Sequence, residues 1–111
     1  MSLLVHEECF GDITVVRLTS VLFGYNAVIF YHMITMLRQL GRKTVLDTTF
    51  LRPEDLNEIS IQGIIYSIVT IKLMKIVVSK EEVRKHLEQY KIHNLVEILP
   101  DKESALRSFK K

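Results

Sequence analysis

Apolar and polar positions change period several times along this chain, and each change marks an element. Residues 3–8 and 12–18 are two short runs separated by Phe10-Gly11, and the second sets Ile13, Val15 and Leu18 against polar Thr14 and Arg17. Two such runs around a glycine predict a β-hairpin. Residues 19–24 read as a connector. From Tyr25-Asn26 to Leu40 the period becomes helical: Ala27, Phe30, Ile34 and Leu37 form one stripe, with Ile29, Met33, Met36 and Leu40 beside it. Gly41, just past the last periodic residue, suits a helix end. The apolar arc covers roughly half the circumference, wider than the ~100° that covers one sheet face. Either neighbouring elements bury the surplus, the reading given precedence, or it forms a dimer or partner surface.

Residues 43–47 (Lys-Thr-Val-Leu-Asp) read as a strand, followed by a loop and then a helix opening at Glu54-Asp55-Leu56-Asn57-Glu58. Asp55-x-x-Glu58 has the form of a capping box, with Pro53 just ahead. Ile61, Ile64, Ile65 and Ile68 recur at helical spacing, which predicts a helix to about Thr70 in spite of their β-branching. Residues 73–78 form a strand. Ser79-x-x-Glu82 reads as a second capping box, ahead of Val83, Leu87 and Tyr90 on one face of a charged helix. Residues 94–99 make a last strand, Pro100-Asp101 a turn and cap, and Ala105, Leu106 and Phe109 the apolar side of a closing helix. The order is ββαβαβαβα. Alternating strands and helices imply parallel pairing through right-handed crossovers, and the hairpin adds an antiparallel edge. The expectation is an α/β fold: a single domain spanning 1–111, with a mixed, mostly parallel sheet and about four helices.

Composition narrows the function classes. The 111 residues suit one core, and 48% apolar with 25% charged residues is ordinary globular usage. No run is long and apolar enough to span a bilayer. Fifteen basic against 13 acidic residues, scattered along the chain, leave a formal charge of +2, without the basic footprint that nucleic acid demands. A single cysteine, Cys9, excludes an internal disulfide framework, and the N-terminus has no leader-like pattern, which points to a cytoplasmic chain.

Several motifs taken together then carry a family resemblance. They are Ile13-Thr14-Val15-Val16-Arg17-Leu18, Leu22-Phe23-Gly24-Tyr25-Asn26-Ala27, Arg42-Lys43-Thr44-Val45-Leu46-Asp47, and Leu95-Val96-Glu97-Ile98-Leu99-Pro100 ahead of Glu103-Ser104-Ala105-Leu106. In this order, over residues 5–109, the chain resembles the STAS family of anti-sigma factor antagonists and sulfate-transporter domains. That resemblance implies a loop after the third strand with an Asp-Ser-Ser-Gly-like motif at the start of the second helix, whose second serine is phosphorylated by a partner kinase that is also the anti-sigma factor. Here an almost gapless alignment puts Asp55-Leu56-Asn57-Glu58 on the motif, with Asn57 at the phosphoacceptor. A gapped alternative uses Ser60-Ile61-Gln62-Gly63, with Gln62 there. The first keeps the helix length and is preferred. Either way the acceptor is an amide, which can hydrogen-bond but cannot take the roughly two negative charges of a phosphoryl group. Thr48, Thr49 and Ser60 flank the loop as conceivable substitute acceptors, although hydroxyl residues near a helix start usually serve as turn or cap residues.

The remaining constellations carry less. His6-Glu7-Glu8-Cys9 cannot converge on one ion from an alternating strand. His32, His86 and His93 lie on different elements and read as surface or cap positions. Cys9 has no placed base, Asp47 has no second catalytic partner, and no Gly-rich phosphate loop is present. The expectation is therefore a non-enzymatic, protein-binding signalling domain with no cofactor and no metal. Its recognition surface would comprise Gly24, Tyr25 and Asn26 together with Thr48, Thr49, Asp55, Asn57, Glu58 and Ser60. The resemblance implies as partner a kinase-like anti-sigma factor or another STAS protein. The rival expectations are a structural subunit, either a homodimer through the first helix or an accessory part of a transporter assembly, and a small anion or nucleotide binder using Asp47, Asp55 and a helix N-terminus.

Overall fold

The computed structural model describes residues 5–19 and 24–110. The start of the first strand at residues 3 and 4, most of the connector, including Leu22 and Phe23, and Lys111 lie outside the described residues. The hairpin forms as β1 (Val5–Phe10) and β2 (Ile13–Leu18). Phe10 pairs with Ile13 across the two-residue loop Gly11-Asp12. Gly11 takes φ +63° at the first loop position, where a type II′ turn uses glycine.

The helix α1 (Gly24–Gln39) buries Ala27, Phe30, Ile34 and Leu37, the stripe read from its period. Its end is a Schellman arrangement: Arg42 N–H donates to the Leu37 carbonyl (3.1 Å) and Gly41 N–H to the Arg38 carbonyl (3.1 Å). Gly41 supplies the left-handed φ of +65° that this requires. There follow β3 (Lys43–Asp47), a 3-10 turn at Pro53–Asp55, α2 (Glu58–Thr70), β4 (Met74–Val77) and α3 (Glu81–Gln89). A second 3-10 turn at Ile92–Asn94, β5 (Glu97–Leu99) and α4 (Lys102–Ser108) complete the chain.

One sheet in the order β1-β2-β3-β4-β5 results, antiparallel between β1 and β2 and parallel thereafter. This is the expected mixed sheet, and the described residues hold four α-helices. Side chains alternate across it. The row Val16, Leu46, Ile76 and Ile98 meets Phe30 and Ile34 of α1, Ile61 and Ile64 of α2, and Val83 and Leu87 of α3 in the larger core. On the opposite face Ile13, Val15, Val45 and Val77 pack under Ala105, Leu106 and Phe109 from α4. The helices α1 and α2 are joined by a Tyr31–Tyr66 edge contact with centroids 4.8 Å apart. The Thr35 hydroxyl donates to the Tyr31 carbonyl and pairs with Tyr66 Oη at 3.2 Å.

Three local expectations change. Neither capping box forms: α2 is capped by Asn57 rather than Asp55, and α3 begins after Lys80 rather than Ser79. Pro53 opens the 3-10 turn and Asp55 folds back on Arg52. Leu56 is then buried, so the helix starts two residues later than the spacing suggests. The last strand is also shorter than 94–99. Lys91 at φ +59° leads into the second 3-10 turn, whose Ile92 is buried, and only Glu97–Leu99 reaches the sheet.

Candidate protein-recognition loop

In parallel strands flanked by helices, the strand ends and helix starts gather at the carboxyl edge. Here that edge holds the ends of β2 and β3 and the N-termini of α1 and α2. Arg17 and Asp47 are register partners on β2 and β3. Asp47 is 3% exposed; its Oδ1 accepts from Thr49 N–H (2.9 Å) and the Thr49 hydroxyl (2.5 Å), and its Oδ2 lies 3.7 Å from Arg17 Nε. The Arg17 guanidinium carbon stands 5.3 Å from the centroid of the Phe50 ring. The carboxylate of Asp47 is thus committed to shaping the loop.

Thr48 ties the loop to the neighbouring strand: its N–H (3.0 Å) and its hydroxyl (2.7 Å) both donate to the Val77 carbonyl. Leu51 and Leu56 plunge into the core, at 1% and 3% exposed. Between them Asp55 accepts from Arg52 N–H at 2.9 Å and from its guanidinium at 3.4 Å, an ion pair that pushes the Arg52 pKa up. Lys80 Nζ, at the α3 N-cap, donates to the Leu51 carbonyl (3.3 Å), and His86 Nε2 of α3 lies 3.2 Å from the Leu56 carbonyl. A segment of this length is therefore held at both apolar anchors and by two side chains from α3 and its N-cap.

At the end of the loop the Asn57 side-chain oxygen accepts from Ser60 N–H at 2.8 Å, satisfying one of the donors that a helix start leaves free. Asn57 and Glu58 are exposed, and the acid in the first turn suits the helix dipole. Gly24 and Tyr25 are exposed as well, Tyr25 at 76%, while Asn26 and Thr49 are half-buried. Thr48, Asp55 and Ser60 are buried, so among the expected site residues these three build the loop from within. Phe50, Arg52, Glu54 and Ile59, which lie within the stretch from Thr48 to Ser60 expected to form the surface, are exposed as well. Surface cavities of 310, 420 and 680 Å³ open elsewhere among the described residues, lined by none of residues 48–60.

No family model matches this chain, and no curated protein matches it in sequence. Solved structures do resemble it. An anti-sigma factor antagonist from Mycobacterium paratuberculosis superposes with a TM-score of 0.82 at 13% identity, covering 96% of this chain and 93% of that one. A candidate anti-sigma factor antagonist from Thermotoga maritima superposes at 0.80 with 14% identity, covering 96% and 95%. At such identities the likeness speaks for architecture, and the chain has the fold of the anti-sigma factor antagonists, the STAS fold.

Proposed function

We propose that this chain is a non-enzymatic regulatory domain that works by binding another protein, as an anti-sigma factor antagonist does, without phosphorylation at the usual position. The observation that carries the reading is Asn57, the residue aligned with the phosphoacceptor. It is exposed at the first turn of α2, with its amide built into the helix cap. An amide there cannot be phosphorylated, so the surface around it keeps one charge state. The contacting surface is Phe50, Arg52, Asn57, Glu58 and Ile59, with Gly24 and Tyr25 at the same edge of the sheet. A kinase-like anti-sigma factor, or another STAS protein, is the partner that such a surface suits.

The test is binding of a purified kinase-like anti-sigma factor from the same host to the wild-type chain and to Asn57→Asp. Aspartate caps a helix as well as asparagine does, so the variant changes charge while keeping the fold. Affinity should fall about tenfold; unchanged affinity would remove this loop from the interface. Stoichiometric phosphate on the loop after incubation with that partner and ATP would refute the constitutive form of the proposal.

A second reading rests on α1, where Tyr25, Val28, Met36 and Leu40 are exposed at 76%, 64%, 48% and 68%. Met36 and Leu40 belong to the surplus arc read from the sequence, and together with Tyr25 and Val28 they favour a homodimer through α1. Sedimentation equilibrium showing a monomer at high concentration would dispose of it.

A further inference from the structure

The opposite edge of the sheet carries a different chemistry. Where α1 and α2 end, a cleft of 420 Å³ opens between the two chain reversals, with Leu37 and Ile71 buried in its wall and Leu73 half exposed. Arg38, Arg42 and Lys72 line it, and no acidic residue does. Among the described residues none of these three cations takes part in a salt bridge. Arg42 is held firmly: its Nε donates to the Thr14 hydroxyl and its NH2 to the Gly11 carbonyl, both at 2.9 Å. Its other N–H groups have no protein acceptor among the described residues. The acid that feels Arg42 is Asp12, which is already bound to Lys43 at 2.8 Å.

The carbonyl ends of α1 and α2 offset part of this charge, but each amounts to roughly half a unit against three full ones. An excess of cation remains beside apolar walls, in a cavity whose volume falls within the range of small-molecule sites. We infer that this cleft binds a small organic anion, a carboxylate, sulfonate or phosphate attached to an apolar body. The body would rest on Leu37, Ile71 and Leu73, and the charged group would meet Arg38, Arg42 and Lys72. The cleft lies at the far end of the strands from the recognition loop, so this inference stands or falls independently of the protein-binding reading.

The probe is anilinonaphthalene sulfonate, an aromatic anion, titrated into the full chain at low salt with amide NMR shifts recorded. One equivalent should bind, with shifts concentrated on Arg38, Gly41, Arg42 and residues 70–73. The double variant Arg38→Glu, Lys72→Glu alters two exposed side chains outside the core. It should keep the wild-type circular dichroism and bind about tenfold more weakly. Unchanged affinity in that variant, absence of binding, or shifts centred on Phe10 and Phe109 at the 680 Å³ cleft would each overturn the site. Equal shifts from inorganic sulfate at the same concentration would overturn the requirement for an apolar body.

Discussion

Asn57 commits its side-chain oxygen to the Ser60 N–H while standing exposed at the start of α2. Its replacement by alanine should therefore cost about 1 kcal/mol in urea denaturation, whereas serine or aspartate should cost much less. That contrast separates a loss of binding in Asn57→Asp from a loss of fold. Two carboxylates add to stability on the acid side. The Ser104 N–H hydrogen bond, 2.7 Å from Asp101 Oδ1, holds the Asp101 carboxyl below the usual range, and the Lys43 hydrogen bond does the same for Asp12. Folded values lowered from about 3.9 mean that the stabilisation is fully present above that pH and is lost as pH falls through the lowered values. The denaturation midpoint should drop as pH falls below the ordinary carboxylate range, and less steeply in Asp12→Asn, Asp101→Asn, which removes both titrations. Of the caps, Asp101 was legible because Pro100 and the following apolar period mark the turn, and the structure places it at the α4 N-cap. Asp55 and Ser79 misled because a polar residue three before a glutamate is common in any loop. Which residue caps was decided by the burial of Leu56 and Val78, a tertiary event.

The apolar stripe of α1 was readable in full because it depends only on local period: the four residues named from the wheel are the four buried ones. Phe30 is 0% exposed among Val16, Ile34 and Leu46, so Phe30→Ala should remove about 3–5 kcal/mol. Against a total of about 5–15 kcal/mol, that is a large share of the stability of a chain of this size. Met36→Ala on the same helix, 48% exposed, should stay within about 0.5 kcal/mol, and paired urea titrations would measure the difference. The isoleucine-rich segment also folds as the helix its spacing implied, since burial against the sheet and α1 outweighs β-branched propensity. The last strand was overread by three residues because Leu95 and Val96 look like strand residues, while the left-handed Lys91 that redirects the chain carries no glycine to announce it. The loop of residues 48–57 was legible in position but not in construction. Its anchors on Val77, Lys80 and His86 come from strands and helices some 30 residues away, beyond any local pattern.

The two faces of the sheet are covered unequally, and this sets where the molecule opens first. Three helices and their shared core shield one face; on the other, α4 is the one helix among the described residues, and its seven residues are too few to be stable apart from its packing. It is held through Ala105, Leu106 and Phe109, with Lys102 over the Phe10 ring at 5.0 Å and Lys75 over Phe109 at 4.7 Å. Such a helix opens locally at lower free energy than the strands beneath it. Native-state hydrogen exchange should find the α4 amides far less protected than those of β3 and β4, and Leu106→Ala should lower α4 protection while leaving β3 near its wild-type value. Equal protection for α4 and β3, falling together in Leu106→Ala, would mean that the sheet and both its covers open as one unit. The loop of residues 48–57 bears on the same measurement, because Lys80 at the α3 N-cap and His86 on α3 clamp it on the thickly covered side. Its amides should therefore keep their protection in Leu106→Ala, so that this loop stays ordered while the far side of the sheet opens.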